Sequence, residues 1–234
     1  MVLSGAAAPG VAGAGLIYLE NDMSASITEN KPRWARRKEA RPQELISAAL
    51  DLFVEHGFAA TKLDDVARRA GVSKGTLYLY FDSKEELFMA MVMETIVPNL
   101  EYAEKLFDEH VGHTGELFKK IIDYWFDQIS NVNSAGICKL MFAEASNFPT
   151  LAQFYHDEVI ARNELLMVDL LKRGMERGEF RQVDLTVMPK IMVAPMIMLM
   201  MWTQSFCTFD EAKIDMERYV ESYVETTLQG LKKQ

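Results

Sequence analysis

"GVSKGTLYLYFDSKEEL", residues 71–87, holds a helix start, a helix stop and a second helix start within seventeen residues. Ser73 is suited to an N-cap, Thr76 to Phe81 spans under two helical turns, and Asp82-Ser83 breaks them. Ser83-Lys84-Glu85-Glu86 then reads as a capping box that opens a longer helix. A helix as short as the first is unstable alone. The pattern therefore predicts a brief helix held by its neighbours and offered to something outside.

The flanking sequence supplies the neighbours. Upstream, Leu45, Ile46, Ala49, Leu52 and Phe53 recur at helical spacing, Pro42 suits a first helical turn, and Gly57 suits a C-cap. Thr61-Lys62-Leu63-Asp64 resembles a second capping box, opening a short helix that stops at Gly71. Residues 42–81 thus predict three helices, the last two joined by a tight turn, which is the helix-turn-helix pattern. A major groove about 12 Å wide accepts one helix, and only its first turns reach base edges. On this reading Gly75 lets the backbone approach DNA, and Lys74 and Lys84 neutralise phosphates at opposite ends. Ser73, Thr76, Tyr78 and Tyr80 offer hydroxyls, and Leu79 offers apolar contact to a thymine methyl. Val66, Val72, Leu77 and Phe81 form the small core.

The segment "ALDLFVEHGFAATKLDDVARRAGVSKGTLYLYFDSKEELF" (49–88) resembles the DNA-binding domain of the TetR/AcrR family of bacterial transcriptional regulators. The resemblance implies that Thr61, Lys62, Tyr80 and Lys84 hold the phosphate backbone. It also implies that Ser73, Lys74, Gly75, Thr76, Tyr78 and Leu79 face base edges or adjacent phosphates. Many members carry His where this chain has Tyr80. The stretch "KPRWARRKEAR" (31–41) is similar to basic extensions that reach a neighbouring groove in some members, which makes Arg36 and Arg37 candidates for a DNA-contacting arm.

Charge is distributed in keeping with this division. The formal net charge is −9, yet residues 31–80 carry ten Lys or Arg against six acids, and residues 81–234 are strongly acidic. A basic segment on an acidic body suits one end meeting a polyanion. Residues 1–30, rich in Gly and Ala at their start, have no helical periodicity and read as a disordered or non-native leader. Without a positive n-region or a long apolar run they predict neither secretion nor membrane insertion. Cys138 and Cys207 read as unpaired thiols in a reducing compartment, so the expected location is the cytoplasm, at the nucleoid.

Residues 91–234 read as a helical effector-binding and dimerisation domain, with helices near 114–131, 134–147, 150–177, 184–206 and 210–231. The long helix from Ser83 to about Phe107, interrupted by Pro98, would join it to the 31–90 unit. The run "IMVAPMIMLMMW" (191–202) is apolar on every side and too short to span a bilayer, so a second copy of the chain is expected to cover one face. The resemblance implies the same: the family dimerises through its last two helices, here with Ile197, Met201, Tyr219, Val220, Tyr223 and Val224 at the interface. A two-fold dimer requires a near-palindromic operator. Six of fifteen methionines fall within 188–201, and Met suits surfaces that accept varied apolar partners. Trp125, Met141, Phe142, Glu144, Met167, Met192 and Met196 are the candidate pocket residues for a small hydrophobic or amphipathic effector.

Enzyme readings have little support. There is no nucleophile elbow, phosphate-cradling loop or HExxH, and the four histidines are scattered. No cofactor or metal is expected. The sequence therefore predicts an all-α, two-domain, ligand-responsive repressor that binds DNA as a homodimer. The competing readings are a regulator or activator without a ligand, and a helical carrier or enzyme.

Overall fold

The computed structural model describes residues 33–129, 132–207, 209 and 214–233; for 33–41, 129, 132 and 133 it describes the backbone alone. The candidate leader, 1–30, lies outside the described residues, as do the side chains of Arg36 and Arg37. Every regular element among the described residues is helical.

The first helix, α1 (Arg33–His56), starts well before Pro42 and runs through it, so the basic stretch continues the helical backbone. Its buried face is Leu45, Ile46, Ala49, Leu52 and Phe53, and Gly57 ends it in the left-handed region at φ +82°. The second, α2 (Leu63–Arg69), closes with Gly71 at φ +67°. There the amides of Gly71 and Val72 donate to the carbonyls of Arg68 and Ala67, a Schellman motif that only a residue tolerant of positive φ completes without strain.

The brief α3 (Lys74–Tyr78) is capped by Ser73, whose Oγ accepts from the Thr76 amide at 3.1 Å, and is anchored by fully buried Leu77. At the start of α4 (Lys84–Thr95), Ser83 Oγ accepts from the Glu86 amide, while the Glu86 carboxylate accepts from the Asp82 amide. The expected continuous helix to Phe107 is two helices. It breaks at Ile96, and α5 (Val97–Glu109) restarts with Pro98 in its first turn, where the missing N–H costs nothing.

Beyond these lie α6 (Thr114–Ile129), α7 (Val132–Glu144) and α8 (Pro149–Tyr155), a π-helical turn (His156–Ile160), then α9 (Ala161–Glu176), α10 (Met188–Ser205) and α11 (Met216–Leu231). Two hydrophobic cores result. The first centres on α1–α4, with Phe53, Phe58 and Phe88 in mutual contact, and it also takes in Ile137 and Met141 of α7 and Leu151 and Tyr155 of α8. The second gathers α6, α9, α10 and α11, together with Ala103 of α5 and Ala135 and Cys138 of α7. Helix α7 therefore packs on both. At Gly136 it approaches α1 so closely that a Cβ would lie 2.7 Å from Val54 Cγ2.

Candidate nucleic-acid interface and effector cavity

On the outer face of α3, Leu79 is 81% exposed and Tyr78 is 42% exposed, with Gly75 and Lys74 beside them. A Cβ on Gly75 would meet nothing nearer than Ser73 Oγ at 3.9 Å, so the fold itself does not require glycine there. Three of the polar side chains on this face already have partners. Ser73 Oγ and Thr76 Oγ1 lie 2.9 Å apart, and Lys74 Nζ lies 2.8 Å from the Asp64 carboxylate. That hydrogen bond and charge raise the Lys74 pKa above its ordinary value. Lys62 is exposed at the start of α2 and has no carboxylate partner among the described residues. Tyr80 is half-buried against the first core.

Two expected phosphate contacts face inward instead. Thr61 is 3% exposed, and its hydroxyl is shared between the carbonyls of Gly57 (2.8 Å) and Leu52 (3.1 Å). It stitches the end of α1 to the start of α2 rather than capping α2. Lys84 Nζ donates to three carbonyls, those of Phe58 (2.5 Å), Ala59 (3.2 Å) and Thr61 (3.2 Å), and sits 4.4 Å from the Phe58 ring centroid. Desolvation pushes its pKa below the usual lysine value. All three ammonium donors are committed to the α1–α2 turn, so Lys84 is an internal strut.

The C-terminal part contains a cavity of about 310 Å³, within the usual size range of small-molecule sites. Its walls come from α5 (Leu100), α6 (Trp125), α7 (Cys138, Phe142), α8 and the π turn (Tyr155, Val159) and α10 (Val193, Ile197). Ile96, Tyr155 and Val159 on one side also pack in the first core, whereas Trp125, Cys138, Val193 and Ile197 belong to or pack on the second. The cavity therefore lies on the seam between the two. At its rim, exposed Lys190 is ion-paired with Glu164.

Of the candidate pocket residues, Trp125 and Phe142 line this cavity. Met167 and Met192 line a separate apolar recess of about 20 Å³, and Met196 is fully buried in the second core. Met141 lies in the first core. Glu144 accepts from the Asn147 side chain at 3.0 Å and its charge acts on Lys84, so it belongs to the seam's structure and not to the cavity. Cys138 and Tyr155, which the sequence reading did not select, lie on different helices, and nothing in their spacing reveals that they meet.

Most of the candidate interface residues already have partners within the chain. Val220, Tyr223 and Val224 are buried within the single chain, with the Tyr223 ring against Phe118 of α6 and its hydroxyl donating to the Met192 carbonyl. Ile197 walls the cavity, Tyr219 is half-buried with its hydroxyl on the Pro195 carbonyl, and Met201 is half-buried. The apolar residues that α10 and its approach turn outward are instead Val187, Ile191 and Met198, 48%, 56% and 58% exposed.

Comparisons with known proteins agree with this architecture. The family profile for bacterial regulatory proteins of the tetR family matches residues 45–91, and that for the AefR-like transcriptional repressor C-terminal domain matches residues 116–230. The chain is 24% identical over 147 residues to the fatty acid metabolism regulator protein of Bacillus subtilis (strain 168), covering 62% of this chain and 74% of the relative. It is 29% identical over 222 residues to the uncharacterized HTH-type transcriptional regulator YfiR of the same strain, covering 89% and 98%. Its fold is similar to the crystal structure of the transcriptional regulator FadR from Bacillus subtilis in complex with stearoyl-CoA, with a TM-score of 0.68, 22% identity, and coverage of 81% of this chain and 98% of that one. These matches are to transcriptional regulators and not to enzymes. Together with the helix-turn-helix at 63–78 and the all-helical remainder, they establish that the chain is a transcriptional regulator belonging to the TetR family.

Proposed function

We propose that this regulator is a homodimeric repressor that grips a palindromic operator with α3 of each copy and is released by an amphipathic effector with a long apolar part. It acts in the cytoplasm on nucleoid DNA. The observation that carries the reading is the position of the cavity: one wall packs with the reader's core, the other with the C-terminal core. A molecule filling it bears on both, and so has unequal affinity for two arrangements of the seam. Two recognition helices must sit about 34–36 Å apart to meet successive turns of duplex. A ligand preferring another spacing lowers operator affinity by its differential affinity for the two states.

The division into a 31–90 reader unit and a 91–234 effector and dimerisation unit follows from this reading. Lys62, Lys74, Gly75, Tyr78 and Leu79 form the DNA face, with Ser73 and Thr76 rearranging from their mutual hydrogen bond. The outward apolar row Val187, Ile191 and Met198 supports dimerisation through α10. The fatty-acid name of one matched relative and the stearoyl-CoA in the matched crystal structure support an acyl effector.

The test is fluorescence anisotropy on a duplex from upstream of the protein's own gene, with stearoyl-CoA or free CoA added. Bound DNA should fall with the acyl compound only, and the protein should elute at twice the chain mass. A monomer, or acyl compounds that bind by calorimetry without changing operator affinity, would sink the reading.

A further inference from the structure

We propose that the Tyr155 hydroxyl is the specificity-determining donor of the cavity, and that it turns from the Cys138 thiol to the neutral carbonyl oxygen of an ester- or thioester-bearing chain. The proposal rests on the effector reading above and refines it to a class of functional group.

The two side chains come from α8 and α7, both are buried, and both line the cavity. The phenol and the thiol act on each other's titration, and no other side-chain hydrogen bond of the Tyr155 hydroxyl occurs among the described residues. A phenol is a strong donor and a thiol sulfur a weak acceptor, so the donor's present partner is a poor one. An entering carbonyl oxygen is a better acceptor, and it leaves the thiol behind as a small apolar surface.

The surroundings select a neutral oxygen. Burial pushes the Cys138 thiol up to about 11 and the Tyr155 phenol well above its usual value, so both remain protonated and uncharged. The Asn99 amide on the same wall is uncharged, with Nδ2 donating to the Thr95 carbonyl and Oδ1 accepting from the Tyr124 hydroxyl. The cation on the wall, Lys190, is at the exposed rim and holds Glu164. A carboxylate carried inward would lose its hydration and gain no cation in return, a large cost in an apolar site. A carbonyl replaces a weak thiol partner with a good acceptor.

The location gives the contact reach. Tyr155 packs in the first core and immediately precedes the π-helical turn, a rare element that recurs at functional sites. An oxygen bound there touches the residue that ties the cavity to the reader.

The experiment is a competition titration, at pH 7.5 and on the full chain, using a fluorescent dye displaced from the cavity. Three probes of similar length are used: methyl octanoate, octanoate and 1-chlorooctane. The wild-type protein should prefer methyl octanoate over 1-chlorooctane by about 5-fold, the range of one net hydrogen bond, and should bind octanoate weakest. Tyr155→Phe should bring the ester-to-chloride ratio to near one. Cys138→Ala should raise it, because the phenol then lacks its sulfur partner. An unchanged ratio in Tyr155→Phe, or octanoate as the preferred probe, overturns the proposal. Should Tyr155→Phe fail to fold, a ratio that holds or falls in Cys138→Ala overturns it equally. Ester-selective binding without operator release sinks the effector reading alone. Operator release with a ratio indifferent to Tyr155→Phe sinks this inference alone, and no binding by any probe sinks both.

Discussion

The starts of α3 and α4 are ten residues apart and look alike: each has a serine cap followed at once by a lysine, Ser73-Lys74 and Ser83-Lys84. In space they serve different ends. Lys74 projects from the surface and is loosely held by one exposed carboxylate, Asp64. Lys84 is turned inward, with its ammonium shared by three turn carbonyls and stacked on Phe58, and with Phe148 of the next layer 6.0 Å from it. An ion pair as exposed as Lys74–Asp64 contributes little to stability and exchanges easily for phosphate. A desolvated ammonium with three acceptors does not exchange without loosening the turn it ties. One lysine is therefore available to a ligand and the other to the fold, although each directly follows a serine cap.

The sharpest way to break this contrast is Lys84→Ala. Leaving the α1–α2 carbonyls without their donor should cost about 2 kcal/mol, read as a fall in Tm of about 4–8 °C for a chain of this size. The salt dependence of operator binding should keep its slope. A Tm that holds while the slope drops by about one would return Lys84 to the phosphate backbone.

Next in size is Gly75→Ala. Space exists for the methyl in the free protein, and alanine is the better helix former by about 0.5–1 kcal/mol. Stability should hold or rise while operator affinity falls about 10-fold, as measured by anisotropy. Loss of both together would make Gly75 a folding residue.

Lys74→Ala should leave Tm unchanged, weaken operator binding a few-fold, and reduce the salt slope by about one. The smallest change is expected from Asp64→Asn, which frees Lys74 from its carboxylate. It should tighten operator binding about 2-fold at low salt, with the gain fading as salt screens the pair. If Asp64→Asn weakens binding instead, the pair positions Lys74 rather than restraining it.

What was legible in the sequence was local. Gly57 and Gly71 at the ends of α1 and α2, and the Ser73 and Ser83 caps, are signals contained within a few residues, and the reader's helices follow from them. What was illegible was burial. Thr61 and Lys84 are residue types that commonly meet phosphate, and only the packing of α1, α2 and α4 turns them inward. The cavity pair Cys138 and Tyr155 depends on how α7 and α8 meet, which no periodicity within either helix encodes. The periodicity of α11 marks one apolar stripe, and Val220, Tyr223 and Val224 spend that stripe on the chain's own α6 and α10. In α10, which is apolar all round, pattern could not say which residues line the inner side. Packing gives Met192, Met196 and Met200 to the core and leaves Ile191 and Met198 outside.

The π-helical turn at His156–Ile160 sets the phase between α8 and α9. A regular helix advances about 100° per residue, so removing a single residue from this turn would rotate everything on one side of it by that angle. Val159 and Ile160, which now face the cavity, would swing off its wall while every remaining side chain stayed the same. The wall of this cavity is thus open to change by a single codon's deletion, a route that inspection of wall residues alone would overlook.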